Sequence, residues 1–242
     1  MLMNGPWLRV SSVAWAGSRY VTSADVTPIL DPLKGTSLLL LDDRSVADEL
    51  AALPGVASAT VEPRFPNGVD VQLTERVPAL IWQTTGGRLV LDGHGTVFGE
   101  LGLTALIPKE MAPLPLIDDR RAGSHDLIVG DRIPDVERST AAQLGALDPK
   151  LLGSSARSLR VAIDDRCGYL ITPVGSARWT AALGFDGIAS SGSTGEGPTI
   201  DAQVAALRTL FSAHPETSIG WVDVRNPGKV YWRASRSGSD TC

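Results

Sequence analysis

Cysteine and histidine are scarce in this chain, and no apolar run is long enough to cross a membrane. Two cysteines, Cys167 and Cys242, do not make a disulfide framework, and His94, His125 and His214 fall in three separate segments. A zinc site needs closer ligand spacing, so no metal and no cofactor are expected, and the compartment cannot be read from cysteine usage. The longest apolar stretches, Leu38–Leu41 and the segment around Ala79–Trp82, fall far short of the roughly 20 residues that a spanning helix requires. Met1–Leu8 lacks the basic-then-apolar pattern of a signal peptide. As given, the chain is expected to be soluble. Positive charge is also short: 22 Lys and Arg against 27 Asp and Glu leave a net charge of −5, so no global basic field would hold a nucleic acid.

What is present suits a globular protein with many short elements. Hydrophobic residues make up 43% of the 242 positions, enough for a real core, while 25 Gly and 16 Pro favour strands and turns over a helical bundle. The first 75 residues read as β-α-α-β-β. Val10–Trp15 is a β-branched and aromatic stretch. Thr22-Ser23-Ala24-Asp25 has a capping-box pattern, and Pro28 and Pro32 should shorten or kink the helix that follows. Asp42 or Asp43 can cap a second helix that stops at Pro54-Gly55. Val69, Val71 and Leu73 alternate strictly with Asp70, Gln72 and Thr74, the cleanest half-buried strand in the chain.

Beyond Glu75 the pattern is mostly strand. Ala79–Trp82 and Arg88–Leu91 flank a hairpin signal, Thr85-Gly86-Gly87, and Asp92-Gly93-His94-Gly95 is another tight turn. Residues 99–130 show neither rhythm and read as loops with one short strand near Leu114–Ile117. A helix is expected from Asp135 to about Leu151, then strands at Leu159–Ile163, Gly168–Thr172 and Trp179–Leu183. Ser190–Gly197 reads as a Gly/Ser loop, and Thr199 as the cap of a last helix. Gly220–Val224 and Lys229–Arg233 close the fold as a hairpin, with a polar tail from Ala234.

Candidate catalytic chemistry is thin. Gly192–Gly197 resembles a phosphate loop only until Pro198 stands where the lysine belongs. Asp92, His94 and Glu100 suit a turn better than an acid/base pair. The sequence Asp-Asp-Arg recurs at 42–44, 118–120 and 164–166 and fits caps and turns better than a cation site. Of the six tryptophans, Trp221 and Trp232 differ by lying in the terminal hairpin among polar neighbours. Aromatic and Arg residues on an edge strand are the composition of a binding hot spot, and such a strand offers unpaired backbone to a partner.

Several segments together resemble the bacterial cell-division family FtsQ/DivIB. They are Gly35–Asp42, Leu53–Val61, the Phe65-Pro66 turn, Glu75-Arg76-Val77-Pro78 leading to Trp82, the Leu89–Phe98 hairpin, and Val222–Arg233 at the end. The resemblance implies an α+β protein: a POTRA domain over residues 1–75, a mostly antiparallel β-domain with flanking helices over 76–233, and a disordered tail over 234–242. It implies a non-enzymatic scaffold at the division septum, on the extracytoplasmic face of the cell membrane, with any anchoring helix absent from this chain. Its partners would be FtsB/DivIC-like and FtsL-like divisome proteins, through which septal peptidoglycan synthesis is controlled. By position, the main contact would use Trp221, Asp223, Arg225, Tyr231, Trp232 and Arg233, and a secondary one Val61, Glu62 and Arg64. The competing expectations are a POTRA-type polypeptide-binding module of an envelope assembly or secretion system, and an enzyme acting on cell-wall glycan.

Overall fold

The computed structural model describes residues 6–16, 19–185 and 199–234. The Gly/Ser run Ser190–Gly197 and the tail beyond Ala234 lie outside the described residues. The chain divides into two compact units, residues 1–77 with 96–99 and residues 78–95 with 100–242.

In the first unit the order is β1 (Ser12–Ala16), α1 (Ser23–Leu30), α2 (Asp43–Ala51), β2 (Val56–Arg64) and β3 (Gly68–Glu75). The three strands form a sheet in the order β1-β3-β2, with β1 parallel and β2 antiparallel to β3. The Asp25 carboxylate accepts the Thr22 backbone N–H at 2.7 Å, closing the capping box. Pro28 sits inside α1, which lasts eight residues before the chain tightens into a 3-10 turn carrying Pro32. Asp42 caps α2 by accepting the Ser45 N–H at 3.1 Å. Val26, Leu30, Val46 and Leu50 of the helices meet Val56, Val61, Val69 and Val71 of the sheet, so the alternation in β3 aims its valines at this core.

The Glu75-Arg76 pair locks this unit's loops. One Glu75 carboxylate oxygen accepts the backbone N–H groups of Arg19, Tyr20 and Val21 at 2.7, 2.9 and 3.0 Å. Arg76 Nε donates to the Pro54 carbonyl at 2.8 Å. The motif's polar residues therefore satisfy backbone groups at the end of β3, which gives them a structural purpose.

After β3 come β4 (Pro78–Gln83), β5 (Arg88–Asp92), β6 (Val97–Leu101, whose first three residues group with the first unit), β7 (Leu116–Asp119), α3 (Asp135–Gly145), β8 (Ser158–Asp164), β9 (Gly168–Val174), β10 (Thr180–Gly184), α4 (Ile200–Ala213), β11 (Ile219–Asp223) and β12 (Tyr231–Ala234). The strands form one nine-stranded sheet in the order β12-β11-β10-β9-β8-β7-β4-β5-β6. The sheet is mixed, more so than the sequence suggests: β4–β7, β7–β8 and β10–β11 run parallel. Parallel neighbours need a crossover; the helices supply it in two of the three pairs, β7-α3-β8 and β10-α4-β11, while β4 reaches β7 through β5 and β6. β7, β8 and β10 share one direction, and both crossovers step the same way along the sheet. Right-handed connections then place both helices on one face.

Burial follows from that. Trp82, Ile117, Val161, Ile163, Ile171, Ala181 and Val222 face the helices and are buried. On the opposite face Gln83, Asp118, Arg160, Thr172, Thr180 and Trp221 line an open hollow of about 760 Å³. α3 ends at Gly145, earlier than the periodicity predicts, because Asp148-Pro149 opens a 3-10 turn in which the Asp148 carboxylate accepts the Lys150 N–H. β9 and β10 approach closely where Gly168 (φ 67°) and Gly184 (φ 86°) pair across a register shift.

Candidate partner-binding edges

β12 is the terminal strand of the nine-stranded sheet and, among the described residues, pairs on one side only, with β11. Its register sets Trp221 opposite Arg233, Val222 opposite Trp232 and Asp223 opposite Tyr231. Tyr231 and Arg233 therefore share the open face, and Trp232 shares the helix-covered face. Tyr231 is 57% and Trp232 38% exposed, while Trp221 is only 5% exposed and packs with Ala162, Cys167, Leu170 and Ala182. Of the residues singled out here, Tyr231, Trp232 and Arg233 present surface and Trp221 supports it from below.

Asp223 and Arg225 are engaged with each other. Arg225 donates from Nε at 3.0 Å and from Nη2 at 2.6 Å to the Asp223 carboxylate, at the start of the β11–β12 turn. Burial pushes the Asp223 carboxyl upward, but the Arg225 side chain and backbone N–H outweigh it and hold the group below its ordinary value. The Arg225 stem also lies over Gly184, where a Cβ would meet it at 3.1 Å. The pair shapes the hairpin that carries the edge.

A second edge lies in the first unit. β2 pairs only with β3 among the described residues. Val61 points into the core at 6% exposure, whereas Glu62 and Arg64 are exposed, Arg64 lying 3.5 Å from Asp70.

The edge at β12 is anchored through side chains that sequence reading did not single out. Gln203 of α4 is buried, and its Nε2 donates to the carbonyls of Leu183 at 2.7 Å and Val224 at 3.2 Å, bridging β10 to the chain just after β11. Glu216, just before β11, accepts from Ser154 Oγ at 2.6 Å, the Ser155 N–H at 2.8 Å and Trp179 Nε1 at 3.1 Å, and also from Ser155 Oγ. Burial raises this carboxyl, yet these donors outweigh it and hold its pKa below the ordinary 4.5. A depressed folded-state pKa contributes stability that is present above the unfolded value and lost as pH falls through the folded one. Thermal melts of wild type and Glu216→Gln should therefore differ most near neutral pH and converge as pH drops below about 4.5. A constant gap down to strong acid would contradict the assignment.

The three Asp-Asp-Arg copies serve three purposes. Asp42 caps a helix, and Asp164 accepts the backbone N–H groups of Arg166 and Cys167 in the β8–β9 turn. Asp119 is fully buried and accepts from Trp82 Nε1 at 2.9 Å and Arg121 Nη2 at 2.8 Å. Asp92 receives the His94 N–H at 2.8 Å, a turn contact. Among the described residues no three His, Cys, Asp or Glu side chains gather as a metal site would. Cys167 is buried in a small apolar cluster with Ala162, Leu170, Ala182 and Trp221.

Residues 8–76 match the family model of the FtsQ-type POTRA domain. The chain is 29% identical over 160 residues to the cell division protein FtsQ of Mycobacteroides abscessus, a match covering 66% of this chain and 49% of that protein. Against FtsQ of Streptomyces collinus it is 26% identical, covering 79% of this chain and 70% of the relative, and against FtsQ of Jannaschia sp. 27% identical, covering 94% and 63%. Residues 8–76 are an FtsQ-type POTRA domain by this match, and the similarity to FtsQ proteins runs on through most of the chain. It spans about half the length of the Mycobacteroides relative. Among the described residues no helix is long and apolar enough to cross a membrane. At the end of the matched residues and just beyond them, the Glu75-Arg76 pair and Trp82 each have a physical role. The first closes the loops of the POTRA unit, and the second donates to the buried Asp119 carboxylate of the second unit.

Proposed function

We propose that this chain is the extracytoplasmic part of a non-enzymatic cell-division scaffold, placed at the division septum beside the membrane. It binds FtsB/DivIC-like and FtsL-like partners by strand addition at β12 and helps control septal peptidoglycan synthesis. The observation that carries the reading is the side of β12 left unpaired among the described residues, with Tyr231, Trp232 and Arg233 exposed along it, in a chain whose residues 8–76 match the FtsQ-type POTRA domain. The β2 edge, through Glu62 and Arg64, is the secondary contact in this reading.

Calorimetric titration with the extracytoplasmic FtsB-like and FtsL-like segments of the same genome tests it. The double variant Tyr231→Ala/Arg233→Ala should bind about 30-fold more weakly, as expected when hot-spot side chains are removed. Unchanged affinity in a variant with an unchanged melting curve would sink the reading. The POTRA-module alternative is favoured by one observation, the nine-residue edge of β2 left unpaired among the described residues. It requires that Glu62→Ala/Arg64→Ala, and not the β12 pair, remove binding of an extended polypeptide.

A further inference from the structure

Strand β12 is short and one-sided, so its straightness has to come from somewhere. It has four residues, all exposed, and its ladder to β11 is irregular between Ile219 and Trp221. A strand of this kind frays readily, because few buried contacts oppose local opening. A frayed edge is a poor template, since each residue must be ordered before it can accept a partner's backbone.

One side chain of β12 reaches the helix-covered face with bulk, Trp232, which lies opposite the buried Val222. There it meets His214, whose ring centroid is 4.5 Å from that of Trp232 at an interplanar angle of 41°. His214 is the C-cap of α4, and its backbone N–H is fixed by donation to the Leu210 carbonyl at 2.9 Å. The body of α4 is itself tied down by Gln203 on the Leu183 and Val224 carbonyls and by Phe211 against Trp179, centroids 4.9 Å apart. Helix, cap residue and edge strand thus form one chain of contacts ending at Trp232.

We propose that His214 is a positioning residue for the β12 edge: its ring stacks on Trp232 from the helix side and holds the strand ordered for partner addition. This rests on the strand-addition reading above, and His214 itself lies on the covered face, away from Tyr231 and Arg233. The ring stack is what matters, so an aromatic replacement should serve and a methyl group should not.

The test compares His214→Ala and His214→Phe in the full chain by two measurements. Amide hydrogen exchange needs no partner. Exchange at residues 231–234 should quicken about five-fold in His214→Ala, a size typical of one lost ring pair, and return to the wild-type rate in His214→Phe. Calorimetric titration with the FtsB-like extracytoplasmic segment should show the same pattern, about five-fold weaker for the alanine variant and restored by phenylalanine. Wild-type exchange at 231–234 in His214→Ala, or a phenylalanine variant as impaired as the alanine one, overturns the proposal. Wild-type protein that binds no partner overturns the strand-addition reading instead, and the exchange result still decides whether His214 orders the strand.

Discussion

Replacing Asp119 with alanine should cost about 3–5 kcal/mol of stability, the range found when one partner of a buried ion pair is removed. The carboxylate is completely buried and holds three groups at once. Trp82 Nε1 reaches it at 2.9 Å, the Arg121 backbone N–H at 3.0 Å, and the Arg121 guanidinium at 3.0 and 2.8 Å. Arg121 also makes a two-pronged contact with Glu137 of α3 at 3.0 and 2.9 Å. The Asp119 hydrogen bond, with help from Glu137, raises the Arg121 pKa well above its usual value against the opposing effect of burial. Without Asp119 the indole N–H and part of the guanidinium are stranded in the interior. Glu137 is partly exposed, so Glu137→Gln should cost much less, about 1 kcal/mol. Chemical denaturation of the two variants measures the contrast; equal losses would mean that burial of Asp119 does not set the cost.

Alanine at Gly168 should be the next most damaging change, at about 3 kcal/mol. A left-handed backbone conformation costs an L-residue roughly 1–2 kcal/mol, and overpacking adds about 1–3. Gly168 has φ 67°, and a Cβ there would lie 2.2 Å from the Gly184 carbonyl carbon. Backbone cannot step aside as a long side chain can. Gly153 provides the control: its φ is 73°, yet a Cβ would meet nothing within 4 Å. Gly153→Ala should therefore cost only the conformational part, about 1–2 kcal/mol. Since β10 carries β11 and β11 carries β12, opening the β9–β10 pair should also weaken the partner binding proposed at β12, whereas Gly153→Ala should leave that binding unchanged.

The legible parts of this fold are those whose cause is local. Strict alternation in Val69–Leu73, the Thr22–Asp25 box and the hairpin between Ala79–Trp82 and Arg88–Leu91 each depend on residues a few positions apart, and the elements are found there. The parallel pairings are not local. Nothing in Leu116–Asp119 states that it will lie between β4 and β8, because a crossover's partner is chosen by the sheet that receives it. The Trp82–Asp119 bond spans 37 positions, and the same Asp-Asp-Arg string elsewhere makes a cap or a turn, so composition could not single out this copy. The hairpin's facing pattern was readable from alternation. That Trp221 would be roofed by Ala162 and Leu170 from strands about 50–60 residues away was not. Gln203 carried no signal beyond being a polar residue among the apolar positions of a helix, which could have marked it for a closer look.

The crossover through α4 also fixes when the edge can come into being. β11 can join the sheet only beside β10, by way of α4, and β12 only beside β11. During synthesis, chains order themselves from the amino end as length allows. Every earlier strand of the sheet can pair before residues 219–234 emerge, but the β11–β12 edge cannot. If β12 is the docking strand, as proposed, a chain stalled or clipped before Tyr231 would be well advanced in folding and still unable to bind.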